Sequence, residues 1–423
     1  MPLLVLFAFT VQLDKTNISA VIVDTTFLKD LNLIGKPTHI GLLNSCFAAG
    51  YGIGMFLWGF AIDAIGARRS AMAGICAWSA LTLMCGYTDN VTEMYVARAL
   101  LGAAEGCLWP IANSYFGRWF PASERSKATA IWISGGFIAI ATGVPISTVV
   151  LIELGWRGVF ITLGAVSFVA LPLFYLFGCD DPSSSPFTSD SEVDHIRKGN
   201  PTRLMAEKGD EPSLIESLLT LRIALLILVH ATSSLMLWGL TTWIPTYLVR
   251  ERGISLRSMG GIVLLSYVAP IIATVIAGHL ADRARHRAWV GAVVSLVTMV
   301  VLTVAMGVPW LYVTAFLLVF GIASPLICGG LHSAMLHDYV PSSQIARSTG
   351  IVVGLGNLFG ALSPALMGYV SGLFGGQFLV AFMMLIGVNA VSMIVYTAIA
   401  MMKPTIRRRR RSDATVLDVG SRS

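Results

Sequence analysis

Apolar runs of about twenty residues, the length a helix needs to cross a bilayer, recur from end to end of this chain between short polar stretches. The pattern predicts twelve spans. Six fall near 2–23, 39–63, 70–88, 92–119, 127–152 and 156–178, and six near 219–249, 258–282, 288–308, 310–337, 347–374 and 376–402. The segment 179–218 breaks the pattern: Asp180-Asp181-Pro182-Ser183-Ser184-Ser185-Pro186 opens it, and charged residues follow to Glu216. Too polar to span, it is expected to be a cytoplasmic linker, part helix around Ser191 to Arg197. The chain then divides into a six-helix bundle (1–178), the linker (179–218), a second six-helix bundle (219–403) and a basic cytoplasmic tail (404–423). Six spans on either side of a linker also point to duplicated halves. The expectation is an all-α membrane protein with twelve transmembrane helices in two six-helix bundles.

Composition supports this class. Hydrophobic residues make up 55% of the chain and charged ones 12%, against roughly 25% charged in a soluble domain. Mean hydropathy is +0.75, and the 41 glycines suit close packing of helices in a membrane. The net charge of +6 does not point to nucleic acid, because the basic residues sit in alternate loops. They are Arg68-Arg69, then Arg118, Arg125 and Lys127, then Arg283, Arg285 and Arg287, and finally Arg407 to Arg411. The intervening loops hold few, apart from Arg250, Arg252 and Arg257. This is the positive-inside pattern, which sets both termini in the cytoplasm. The five-arginine tail reads as a topology anchor in contact with anionic membrane lipids. The start, Met1-Pro2-Leu3-Leu4, lacks a basic n-region and a small-residue cleavage site, so it is expected to be a retained first span with a few residues upstream. The six cysteines show no Cys-x-x-Cys pair and read as packing residues. His332 and His337 are five apart, off the i, i+4 ligand spacing, and no third ligand is evident; no metal is expected. The absence of a Gly-x-x-x-x-Gly-Lys-Ser/Thr loop excludes a nucleotide-driven motor on this chain. No cofactor and no enzymatic reaction are expected.

The chemistry lies in four ionisable residues inside apolar runs. Asp14 and Lys15 interrupt the first span, and Arg98 and Glu105 lie seven residues apart in the fourth. Seven residues is almost two helical turns, so Arg98 and Glu105 share a face, about 10 Å apart along the axis. A charge at mid-membrane costs a few kcal/mol on insertion scales, so such residues usually face a polar cavity. Two acids and two bases there read as a site that binds an anion and handles protons. The competing reading is two buried ion pairs that only lock helices together. Lys15 and Arg98 are the candidates for holding a carboxylate, the lysine as a point charge and the arginine as a bidentate fork. For Arg98 the rival role is pairing with Glu105 or Asp14 to keep the resting site neutral. Glu105 and Asp14 are the proton candidates, because burial and a neighbouring cation pull a carboxyl group's protonation in opposite directions, so the site's occupant can tip it.

The halves echo each other. Gly59-Phe60-Ala61-Ile62-Asp63 ends the second span, and Gly278-His279-Leu280-Ala281-Asp282-Arg283 ends the eighth, each running into a basic loop. Gly59-x-x-x-Asp63-x-x-Gly66-x-Arg68-Arg69 resembles the signature loop of the major facilitator superfamily, with Ala64 where a basic residue is usual; Asp282-Arg283 keeps that residue. The resemblance implies the major facilitator fold and a cytoplasmic latch at Gly59, Asp63, Gly66, Arg68, Arg69, Asp282 and Arg283. In such a latch the acid caps a neighbouring helix and pairs with basic residues in one state of the cycle. A finer resemblance is to the anion:cation symporter family of sugar-acid, aromatic-acid, sialic-acid and vesicular glutamate carriers. Asp14-Lys15-Thr16-Asn17-Ile18-Ser19, Arg98-x-x-x-Gly102-x-x-Glu105, Arg118-Trp119-Phe120-Pro121, Glu124-Arg125 and Trp238…Thr242-Trp243-Ile244-Pro245-x-Tyr247-Leu248 carry it.

That resemblance implies that the matching acids carry the coupling proton and that Tyr51 lines the cavity, against packing as the alternative. Relatives commonly have arginine where Lys15 stands, and often glutamine near His230, which reads either as a substrate contact or as a helix-contact histidine. Gln12, where some relatives have tyrosine, and Asn357, a polar residue among the glycines of the eleventh span, are further candidates for substrate binding. Gly135-Gly136 replaces a polar contact found in some sugar-acid carriers. Pro110 and Pro145 are expected to permit helix bending. The expectation is a monomeric secondary active transporter in a bacterial plasma membrane, taking up a small organic anion with protons by alternating access. An anion exchanger or facilitator without proton coupling, and a transporter-like sensor that moves nothing, are the alternatives.

Overall fold

The computed structural model describes residues 1–121, 124–199, 216, 218–259, 261, 276, 286–308, 310–340 and 345–402. Every regular element among them is helical. In the first half these are α1 (Pro2–Val21), a short α2 (Thr25–Asp30), α3 (Pro37–Ile65), α4 (Ala67–Cys85), α5 (Val91–Glu105), α6 (Leu108–Trp119), α7 (Arg125–Phe168) and α8 (Ala170–Phe177). A 3-10 turn (Pro182–Ser184) and α9 (Asp190–Lys198) follow. The second half holds α10 (Leu221–Arg250), α11 (Arg287–Gly307), α12 (Leu311–Phe320), α13 (Ala323–Tyr339), α14 (Ile345–Gly360), α15 (Leu362–Leu373) and α16 (Leu379–Met401). Each span expected from hydropathy carries helix among its described residues; nearly all of 258–282 lies outside them. Helix α7 is two passes: Gly155, at φ 72° and ψ 178°, turns the chain back within it. The short α2 was not expected; Asp24 caps it by accepting from the Phe27 N–H at 3.0 Å.

Prolines set where the spans break. A proline removes the hydrogen bond to the carbonyl four residues earlier and crowds it. Pro110 acts on Gly106, where α5 gives way to α6; Pro325 acts on Gly321, between α12 and α13; Pro364 acts on Gly360, between α14 and α15. The fourth span of each half therefore breaks at the same Gly-x-x-x-Pro. Pro145, four residues after Ala141, leaves α7 continuous, so of the two prolines singled out for bending only Pro110 interrupts its helix.

Packing within the first half sets α3 against α5, α1 against α7, and α4 against both α5 and α7. The α3–α5 seam is built on glycine. A methyl group at Gly50 would overlap the Ala99 carbonyl, one at Gly54 the Ala103 carbonyl, and one at Gly102 the Phe47 carbonyl. Close backbone approach is what packs membrane helices where no water is expelled. Gly102→Ala is therefore expected to cost about 1–3 kcal/mol through overpacking, whereas Gly59, with nothing within 4 Å of its added carbon, should accept alanine. Melting curves of the detergent-solubilised variants check this.

The halves meet along one seam. α3 packs against α14 and α15, and α10 against α1. The contacts lie toward the end where α1 finishes, α3 begins and α15 finishes: Gly41 sits on Pro364, and Gly368 on Pro37. The carbonyl of Thr241 is four residues before Pro245 and so lacks its helical donor; Ser19 donates to it across the seam at 3.0 Å. The Ala365 N–H, just past the α14–α15 break, donates to Ser45 of α3 at 3.1 Å. Backbone groups released by proline thus hold the two halves together.

Candidate functional site

The four intramembrane charges converge from α1 and α5, but they do not pair with one another. Asp14 is buried and accepts from Asn17 Nδ2 at 3.1 Å and from Thr82 Oγ1 at 2.7 Å. Arg98 is wholly buried; its guanidinium donates to Asn17 Oδ1 at 3.5 Å and to Asn44 Oδ1 at 3.3 Å, and lies 4.5 Å from the Phe47 ring centre. Asn17, one turn past Asp14 on the same helix face, stands between acid and base, donating to one and accepting from the other. Among the described residues Arg98 forms no ion pair with Asp14 or Glu105. Glu105 is wholly buried, and neither of its carboxyl oxygens has a hydrogen-bond partner. The charges whose fields reach it are Asp14, Lys15 and Arg98. The Lys15 ammonium stands 3.8 Å above the Tyr51 ring, a cation–π contact, and the buried Tyr51 hydroxyl has no partner.

From this cluster a polar chain crosses the seam. Asn44 donates to Thr242 Oγ1 at 2.5 Å, and Thr242 donates to the Trp238 carbonyl at 2.6 Å. Trp238 lies against Phe47 and Tyr51, with ring centres 5.9 Å and 6.5 Å away, and its Nε1 donates to Asn357 Oδ1 at 3.4 Å. Lys15, Tyr51, Arg98 and, through Trp238, Asn357 thus belong to one polar assembly. Asn17, Asn44, Thr82 and Thr242 belong to it too, and reasoning from the sequence did not single them out as site residues. For Asn17 a signal was present, since i, i+3 partners on a helix face each other. For Thr82 and Asn44 there was none, because both act between helices.

Helices arranged in two halves, with buried charges at their seam, match one family model, that of the Major Facilitator Superfamily, over residues 4–333. The chain belongs to this superfamily. It is a multi-pass membrane transport protein, not an enzyme. Its relatives include the probable galactarate/D-glucarate transporter of Escherichia coli, 26% identical with 86% of this chain and 84% of that one covered. The hexuronate transporter of Bacillus subtilis is 25% identical, with 86% of both chains covered. The putative tartrate transporter of Agrobacterium vitis is 25% identical, with 95% and 93% covered. Among solved structures, a bacterial homolog of the human lysosomal transporter Spinster, in an inward-facing and occupied conformation, superposes with a TM-score of 0.72 at 16% identity. It covers 94% of this chain and 95% of its own. Together with the family model, that likeness shows the twelve-helix major facilitator fold.

The remaining candidates lie apart from the hydrogen-bonded charge cluster. Gln12 has a buried Oε1 without a partner, and its side chain lies beside Gly136 of α7. His230 is half-buried in α10 and bonds to His332 of α13, not to the first-half charges. In the signature loop, Gly66 joins α3 to α4 at φ 84°, a conformation that favours glycine, and a methyl there would press on the Asp180 carboxylate. Asp180 caps α4 by accepting from the Arg68 N–H at 2.8 Å, while the Arg68 side chain donates to the Tyr175 carbonyl at 2.5 Å. Asp63 and Arg69 are exposed, and Gly59 is half-buried. Among the described residues the Asp63 carboxylate has no partner, so the helix cap in this loop comes from Asp180. Asp282 and Arg283 lie outside the described residues.

Proposed function

We propose that this protein is a secondary active transporter that takes up a small organic anion, a sugar acid or related carboxylate, together with protons. The observation that carries this reading is the state of Arg98: its wholly buried guanidinium is held by two amide oxygens and an aromatic ring, with no carboxylate against it. Two ion pairs that merely lock helices would place acid against base, and no such pair forms among the four charges in the described residues. A buried cation whose partners are neutral retains attraction for an incoming anion. Lys15, held by the Tyr51 ring, supplies a second positive charge, and Glu105 and Asp14 supply the carboxyl groups that load and release protons. Relatives named for galactarate, glucarate, hexuronate and tartrate support a hydroxylated carboxylate as the substrate class.

The alternating basic loops support cytoplasmic termini, and the bacterial relatives support residence in a bacterial plasma membrane. In that orientation the seam is closed on the outer side, the arrangement that an inward-open state of alternating access requires. The exposed Asp63, without a partner among the described residues, fits a latch released in that state. The test is counterflow in proteoliposomes across a panel of D-glucarate, a hexuronate, tartrate and an aromatic acid, with an internal pH dye. Accumulation of a panel anion, with internal acidification on its addition, is the expected result. Net uptake of a panel anion that never moves the dye would overturn proton coupling, and no counterflow of any carboxylate would overturn the substrate class.

A further inference from the structure

Away from the charge cluster, the second half holds a buried line of ring nitrogens and one phenol. His230 Nδ1 and His332 Nδ1 are 2.9 Å apart, with the rings inclined at 72°. His332 Nε2 is 2.5 Å from the Tyr396 hydroxyl. His332 and Tyr396 are buried, while His230 is half-buried. The line joins α10, α13 and α16, and Gly356 of α14 holds the outer ring in place: any side chain there would collide with His230 Cδ2. Each neutral imidazole has one N–H and one bare nitrogen, so the protons along such a line have to run in one consistent direction.

The phenol sets the direction. Phenol is a good donor and a poor acceptor, and a bare imidazole nitrogen is a far better acceptor than the neutral hydroxyl and thiol of Ser233 and Cys328 that adjoin Tyr396. Ser233 already donates to the Val229 carbonyl at 2.9 Å. Tyr396 therefore donates its hydrogen bond to His332 Nε2, since a buried hydroxyl left without an acceptor costs free energy. His332 must then carry its hydrogen on Nδ1 and donate it to His230 Nδ1. That leaves the hydrogen of His230 on Nε2. This nitrogen has no partner among the described residues and is not among the buried polar atoms that lack one. His230 also lies on the i, i+4, i+7, i+11 stripe of α10 that ends at Thr241, whose carbonyl meets Ser19 of the first half.

We propose that His332 and Tyr396 are positioning residues that hold His230 as the Nε2–H tautomer, so that the second half offers a hydrogen-bond donor, and no acceptor, to an oxygen of the transported anion. This rests on the carrier reading above and deepens it: a carboxylate oxygen only accepts, so a donor fixed in advance favours it over a hydroxyl that must donate. The first half would grip the anion by charge, and the second by one oriented N–H.

The test reads the tautomer directly, by nitrogen NMR of the full-length protein labelled at histidine, with each ring assigned by comparison with His230→Gln and His332→Gln. The expected result is His230 protonated on Nε2 and His332 on Nδ1. The reverse assignment, or a mixture at either ring, overturns the proposal without reference to any substrate. Tyr396→Phe should release the line, mix the tautomers at both rings, and raise KM for the panel anion most active in counterflow roughly three- to tenfold with kcat retained. An unchanged KM in Tyr396→Phe also overturns it. The two failures are separable: the spectra judge the proton line in an inactive protein, whereas a wild type that moves no carboxylate defeats the carrier reading whatever the spectra show.

Discussion

Arg98→Ala is expected to abolish counterflow of every carboxylate in the panel while the protein still reaches the membrane. The guanidinium is the only donor to Asn44 Oδ1 among the described residues, and it holds Asn17 between itself and Asp14. Its removal takes away the proposed bidentate partner of the anion and leaves two buried amide oxygens without donors. Each hydrogen bond to a charged group is worth roughly 1.5–3 kcal/mol, so losing two should lower kcat/KM by at least about a hundredfold. Arg98→Lys keeps the charge but not the planar fork, and should recover only part of the loss. Size-exclusion profiles separate this from misfolding, and transport by Arg98→Ala at wild-type affinity would sink the anion site.

Glu105→Gln should split the transport cycle. Downhill exchange of one anion for another is expected to persist within about threefold of wild type, whereas accumulation driven by an imposed proton gradient should vanish. The reason is the isolation of this side chain: both carboxyl oxygens are buried without a hydrogen-bond partner, two turns from Arg98 and within the field of Lys15. An unpaired buried carboxylate is far more costly than a neutral carboxyl group, so Glu105 is suited to cross the cycle protonated and to ionise when a cation is free to face it. Glutamine copies the neutral form permanently and cannot release a proton. Paired uptake assays, with and without a pH gradient, decide the matter; uphill accumulation by the variant would move the coupling role to Asp14.

The sequence by itself determined the class, the spans and the charges. Membrane thickness imposes a run length, and a charge inside such a run is conspicuous because it is expensive there; both marks are local and survive in one dimension. The Gly-x-x-x-Pro breaks at Gly106, Gly321 and Gly360 were equally local, because a proline acts on a carbonyl four residues away, yet their effect on the spans was legible only once the helices were seen to stop. What the tertiary structure alone decided was the pairing. Arg98 had two acidic partners within plausible reach and took Asn17 and Asn44 instead, a choice made by the glycine-packed approach of α5 to α3. Likewise His332 met not His337 but His230, 102 residues earlier, because α10 and α13 are neighbours only in the folded bundle. Hydrogen bonds between helices depend on ångström-scale separations and rotations that packing sets collectively, and no spacing along a single chain encodes them.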